Sequence, residues 1–283
     1  MFADKPSRTL LSTAIRRATH QLLDAPLILD DPISLRIVPE AADAEFMATL
    51  NRDGTPDAAV LRALFVMRSR FAEDRLAGAA GRGVRQYVML GAGLDTFPWR
   101  QPPFARSMHL FAADFPASLS FARERARAGG LSEPDNLTRV PIDLESGHAM
   151  KELVRGGLDP AVPTFVSVLG VTQYLSQQAV YALLRDLSAL PPGSEIVFSF
   201  ALPDDALSGQ DLEAVKLSAI FTAKIGEPWR TRLHPRQLIT KLAEFGYREI
   251  FHLTPEIAHQ RFFSGRRDAL RVPGWEQLIA AMT

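Results

Sequence analysis

From Gln86 onward the chain alternates short apolar runs with helical patterns, and this alternation constrains the fold more than any other feature. The runs are YVMLG (87–91), MHLFAAD (108–114), LTRVPID (137–143), TFVSVLG (164–170) and EIVFSFAL (195–202). Between them lie ASLSFARERARA, HAMKELVRG and QQAVYALLRDLSAL, whose apolar residues recur at helical spacing. Strands linked through helices require right-handed crossovers, so the spacing predicts an α/β fold with a doubly wound, mostly parallel sheet. A polar, helix-compatible insertion follows at about 203–232. A helix over Pro235–Phe245 then leads through Gly246 into a sixth strand, YREIFHLT. The segment after it is strand-like or irregular. Sheets of this kind bind ligands at the carboxyl ends of their strands, beside the point where the strand order reverses.

Two helical patterns precede the alternation. Leu10, Leu11, Ala14, Ile15, Ala18, Leu22 and Leu23 make one stripe, and a second pattern runs from about Asp57 to Ala77. Residues 1–80 therefore read as a helical extension or lid, and 81–283 as the core. The 32 basic and 32 acidic residues balance, which argues against nucleic acid as the partner. The absence of cysteine excludes disulfides, thiolate zinc sites and cysteine nucleophiles. The start, MFADKPSRTLL, lacks the apolar core of a secretory signal, and no apolar run nears the roughly 20 residues that span a bilayer. The expectation is a soluble cytoplasmic protein with no membrane partner.

The first run ends in Gly91-Ala92-Gly93, where glycine permits a tight turn and close approach to a ligand. Asp114 closes the second run, about 20 residues on, the spacing of a ribose-binding carboxylate. A dinucleotide turn needs a third small residue and a helix whose free amides receive the diphosphate. Here the third position is Thr96, and Pro98 prevents a long regular helix. A cofactor with an adenosine but no phosphate loses little by this, and S-adenosylmethionine is such a cofactor. Upstream, Arg68 shares a helix face with Leu61, Leu64, Phe65, Ala72 and Leu76. An arginine on a buried face needs an anion. Two partners fit: an internal carboxylate, or the carboxylate at the methionine end of the cofactor, which guanidinium grips in bidentate fashion.

These residues carry a family resemblance. With "STAIRRA…DDP", "MRSRFAED" (67–74), "QYVMLGAGLDT" (86–96), "FAADFP" (111–116), "VPIDLES" (140–146) and "LGVTQYL" (169–175), the chain resembles the bacterial branch of the leucine carboxyl methyltransferase family. These are class I S-adenosylmethionine-dependent methyltransferases with a Rossmann-like core. The resemblance implies that Arg68 holds the cofactor carboxylate. It implies that Gly91, Ala92 and Gly93, with Asp95 just beyond, form the cofactor turn, and that Asp114 binds the ribose. Asp143 and Leu144 would meet the adenine, one through its side chain and the other through its amide. The loop that Leu169 opens would flank the methyl group and the substrate. Three positions depart from the family's usual pattern. Ala112-Ala113-Asp114 stands where Glu-x-Asp is common, Phe97 where arginine often follows GLDT, and Leu169-Gly170-Val171 where Glu-Gly-Val is common. The last two bear on the substrate end and argue against protein phosphatase tails; Phe97 is expected to report on the substrate.

The expected activity is O-methylation of a small-molecule carboxylate or hydroxyl. A sulfonium is already electrophilic, so collinear placement of nucleophile, methyl and sulfur is the protein's main task. A carboxylate needs no base near neutral pH, whereas a hydroxyl is helped by one. Tyr174 is a candidate for positioning the substrate, or a packed aromatic. None of the six histidines has metal-ligand spacing. His109 and His234 read as structural, and His259 is the histidine best placed for a pocket. Arg261, Arg266 and Arg267 read as a solvated face or as a grip for an acidic substrate. Two other functions remain open at this level: a non-catalytic cofactor-binding protein of the same fold, and a nicotinamide dehydrogenase, against which Thr96 and Pro98 speak.

Overall fold

The computed structural model of the chain describes residues 7–43, 58–268 and 270–283. The expected start of the second helix at Asp57, and the first six residues of the chain, lie outside the described residues.

Seven strands form one sheet in the order β3-β2-β1-β4-β5-β7-β6. They are β1 Gln86–Leu90, β2 His109–Asp114, β3 Leu137–Pro141, β4 Thr164–Val168, β5 Glu195–Ala201, β6 Ile250–Leu253 and β7 Glu276–Met282. β1 to β5 are parallel, and β7 runs antiparallel between β5 and β6. The mostly parallel α/β architecture is as the alternation predicts. The chain's end resolves as strand: β7 is buried along nearly its whole length, and its short side chains Ala280 and Ala281 suit an interior position.

Strand alternation divides the core between the two faces of the sheet. Tyr87, Met89, Phe165 and Leu278 join one apolar cluster with the long helix Ala58–Gly81. Val88, Leu90, Phe198 and Ile279 join the other. That second face is covered by the helices Gln177–Ser188 and Pro235–Glu244. The Gln177–Ser188 helix buries Val180, Leu183, Leu184 and Leu187, and its N-terminus is capped by Ser176, whose side chain accepts from the Ala179 amide. Ser176→Ala is expected to lower stability by about 1 kcal/mol, seen as a lower urea midpoint with an unchanged slope.

The long helix packs against β4, β5 and β7, so sheet packing runs across the boundary expected near residue 80. Two arginines anchor a strand: Arg75 in this helix and Arg82 just beyond it both hydrogen-bond to the fully buried Glu195 at the start of β5. The N-terminal helix Arg8–Leu23 packs instead on the long helix and on the short helix Ile33–Ile37. β1 is flanked by β2 and β4, which places the reversal of strand order between β1 and β4. The chain therefore opens a crevice at the carboxyl ends of these strands.

Candidate active site

A cavity of about 420 Å³ fills that crevice. Gly91, Ala92, Gly93 and Asp95 line it from the turn after β1, and Asp114 lines it from the end of β2. Asp143 and Leu144 enter beyond β3, Leu169 and Tyr174 beyond β4, and Arg68 from the long helix. The structure thus brings together the nine cofactor candidates and Tyr174.

The turn needs glycine at Gly91. Its φ is +71°, and a Cβ there would overlap the Val171 Cγ2 methyl. The turn's amides are committed internally. Gly91 N and Ala92 N both donate to Ala113 O, at 2.8 and 3.2 Å. Gly93 N donates to Asp114 Oδ2 at 2.8 Å, and Phe115 N to Asp114 Oδ1 at 2.7 Å. The helix that follows is only Phe97–Arg100, and its first amide is taken by Asp95 Oδ1 at 2.9 Å. No row of free amides remains in the turn for a diphosphate, while the Asp114 carboxylate is oriented by two backbone donors. This suits a ribose diol on a phosphate-free cofactor. Burial pushes the Asp114 carboxyl above the ordinary aspartate range, against the opposing effect of its backbone hydrogen bonds.

At the β3 end, Asp143 is exposed and accepts from the Glu145 amide at 2.9 Å, whereas Leu144 is buried. At the β4 end, a 3-10 turn over Thr172–Tyr174 carries Tyr174. Burial raises the Tyr174 pKa, and the carboxylates of Glu227 and Glu276 push it the same way. The Thr9 and Trp229 side chains oppose that rise.

Arg68 is buried, and its Nη1 meets Glu276 Oε1 at 2.9 Å. Its guanidinium stacks 4.7 Å from the Phe65 ring centroid and lies against Gly170, where a Cβ would collide with it. The internal carboxylate anticipated for this arginine is thus present, and it lines the same cavity as Arg68. The acid beside Arg68 comes from the start of β7. Nothing in the sequence pointed to Glu276, because the last segment was not resolved as a strand with an acid at its mouth.

The N-terminal helix roofs the cavity with Thr9, Leu10, Thr13 and Arg17. Arg17 Nη2 bonds Asp31 Oδ2 at 2.7 Å and Thr96 Oγ1 at 2.6 Å, and Arg100 reaches the same aspartate at 3.1 Å. Thr96, at the position of the missing third glycine, is therefore the point where roof and turn are tied. The helix start is held by Glu227, a buried residue. Its carboxylate accepts from Ser7 Oγ, Arg8 N, Thr9 N and Thr9 Oγ1 at 2.6–3.2 Å. Glu227→Ala is expected to lower hydrogen-exchange protection of the Arg8 and Thr9 amides about tenfold, since hydrogen bonds to a charged group contribute about 1.5–3 kcal/mol; amides deep in the sheet would keep theirs.

Two expectations are corrected. Phe97 does not face the cavity: it is 1% exposed and packs edge-on against Tyr87, with ring centroids 5.1 Å apart. Its size fills the core, so it reports nothing about the substrate. His259 is exposed and does not line the cavity. Of the two readings of the arginine run, a grip in this cavity is not seen: Arg261 pairs with Asp74, Arg266, its side chain only 5% exposed, pairs with Asp268, and neither they nor Arg267 line the cavity. His109 and His234 do not line the cavity; their rings meet the Thr138 hydroxyl and the Asp205 carboxylate respectively. Among the described residues no group of histidines and acids is arranged to hold a metal ion, and no helix is long and apolar enough to cross a membrane.

Comparison with known proteins identifies the family of the chain. The family model described as leucine carboxyl methyltransferase matches residues 10–188. A protein of Bacillus subtilis strain 168, assigned by name to the S-adenosyl-L-methionine-dependent methyltransferases, is 29% identical over 95% of both chains. A protein of Saccharopolyspora erythraea with the same assignment is 33% identical over 72% of this chain and 71% of its own. Among solved structures, a DUF574 family protein from Streptomyces avermitilis shares the fold over all of both chains, with a TM-score of 0.62 at 19% identity.

Proposed function

Since the chain belongs to the leucine carboxyl methyltransferase family and is an S-adenosyl-L-methionine-dependent methyltransferase, we propose that it methylates an oxygen, carboxylate or hydroxyl, of a small molecule held in this cavity. The observation that carries the small-molecule reading is the roof: the N-terminal helix, held down by Glu227, covers the crevice. A protein tail or nucleic acid would need that wall open.

The cofactor, when bound, supplies an electrophilic methyl group on a sulfonium. The chain's residues do the placing. Asp114 accepts from the ribose hydroxyls, Asp143 and the Leu144 amide meet the adenine, and Arg68 holds the methionine carboxylate beside Glu276. Gly91, Ala92, Gly93 and Asp95 shape the turn, and Leu169 closes the methyl end. The N-terminal helix Arg8–Leu23, which roofs the cavity, acts as the lid that excludes water. Tyr174, a protonated phenol, positions the acceptor by donating to it. A carboxylate acceptor needs no proton removed. A hydroxyl acceptor loses its proton as the oxygen–carbon bond forms, and Glu276 is the buried carboxylate at that end to receive it.

Cofactor affinity should depend on pH through Asp114. Its folded-state pKa is raised, so the carboxylate that accepts two hydroxyl hydrogen bonds is present above that pKa and lost as pH falls through it. Affinity for S-adenosylhomocysteine is expected to decline on acidification before an ordinary aspartate would protonate, and Asp114→Asn should flatten that limb of the profile.

The activity is tested by incubating the protein with labelled cofactor and a bacterial metabolite extract, followed by mass spectrometry. The expected product is a small molecule heavier by one methyl group, on oxygen. Label appearing only on protein, on nucleic acid or on nitrogen would reject the reading.

A further inference from the structure

The part of the cavity away from the ribose carboxylate has its own polar wall. Gln173 Oε1, Ser218 Oγ and Trp275 Nε1 are buried side-chain atoms with no hydrogen-bond partner. Gln173 is 3% exposed, Ser218 8% and Trp275 2%, and all three line the cavity. An unsatisfied buried polar atom costs about 1–3 kcal/mol, and native folds leave few. Trp229 Nε1, on a ring against that of Trp275, is a further such atom on the same cavity wall, and a group of this kind is arranged for something that enters.

Gln173, Ser218 and Trp275 come from three separate segments, and none of the three residues is among the proposed cofactor contacts. Gln173 lies in the turn after β4, Ser218 on the insertion helix Gly209–Lys224, and Trp275 one residue before β7. The backbone fixes two of them without using their side chains. The Gln173 carbonyl accepts from the Arg230 amide at 2.7 Å, and the Trp275 carbonyl accepts from the Leu202 amide at 2.9 Å.

The surrounding wall is aromatic. The Trp229 and Trp275 rings lie 5.8 Å apart at 30°, and Phe65 and Phe221 line the same cavity. Such surfaces favour a flat ring in offset or edge contact, by about 0.5–1.5 kcal/mol per pair beyond burial. The polar atoms define the substituent. The indole N–H only donates, the Gln173 oxygen only accepts, and the Ser218 hydroxyl does either. A hydroxyl on a ring satisfies both kinds of partner at once.

We propose that Gln173, Ser218 and Trp275 form the methyl-acceptor subsite and that it takes a hydroxylated aromatic compound. This rests on the methyltransferase reading of the cavity. The test is calorimetric, on the full chain saturated with S-adenosylhomocysteine, with 1-naphthol and its saturated analogue decahydro-1-naphthol as probes. 1-Naphthol is expected to bind about tenfold more tightly than the saturated alcohol, since ring contacts of this kind amount to about 1.5 kcal/mol. Trp275→Phe keeps the ring and removes the N–H. Ser218→Ala removes the hydroxyl from a different element. Each should weaken 1-naphthol binding about fivefold, the loss of one hydrogen bond worth about 1 kcal/mol, and leave S-adenosylhomocysteine affinity unchanged. The subsite is overturned if the saturated alcohol binds as well as 1-naphthol, or if both variants bind 1-naphthol like the wild type. Absence of S-adenosylhomocysteine binding in the first place would instead overturn the cofactor reading, and this subsite with it.

Discussion

Arg68→Ala is expected to abolish measurable cofactor binding and to lower stability by about 3–5 kcal/mol. Two consequences follow from one side chain because Arg68 faces two anions. Inside the fold it meets Glu276, which is 1% exposed at its side chain; removing the guanidinium strands that carboxylate in the core. Toward the cavity it is the cation proposed for the cofactor's carboxylate, and a bidentate pair of this kind has no substitute among the turn residues. The two effects separate in the double variant Arg68→Met with Glu276→Gln. It has no buried charge to strand, so its urea midpoint should recover toward wild type while S-adenosylhomocysteine binding stays lost. If a folded Arg68 variant binds with undiminished affinity, Arg68 is a structural ion pair only.

Asp114→Ala is expected to weaken S-adenosylhomocysteine binding about 100-fold, close to 2.7 kcal/mol, while the protein stays folded. Hydrogen bonds to a charged group contribute about 1.5–3 kcal/mol each, and a ribose diol offers two. Asp114 is partly open to the cavity, so the Gly93 and Phe115 amides it releases can find water, and the loss in stability should be small. Isothermal calorimetry at neutral pH reads the affinity, and a thermal melt without ligand confirms the fold. A loss below about threefold, less than the contribution of a single neutral hydrogen bond, would remove Asp114 from the ribose contact.

The parts of this protein legible in its sequence are those where local chemistry dictates geometry. Short apolar runs between helical patterns mark the strands, and glycine with positive φ fixes the turn, so β1 to β6 and the Gly91–Asp114 arrangement follow from local patterns. Side chains whose roles depend on distant partners do not. Glu227 reads as one acid in a polar insertion, yet it holds residues 7–9. Thr96 reads as a defect in a dinucleotide turn, yet it anchors Arg17 and Arg100. Phe97 reads as a substrate marker by contrast with relatives, but packing against Tyr87 explains it. Glu276 was hidden because EQLIAAM is too short and apolar to distinguish a buried strand from a helix segment by periodicity alone.

Calorimetric titration of the wild-type chain with S-adenosylhomocysteine tests the central claim most directly. The account predicts saturable binding at one site per chain, lost in the Arg68 variant and weakened in the Asp114 variant. No heat of binding at millimolar ligand, with the protein shown to be folded, would contradict it.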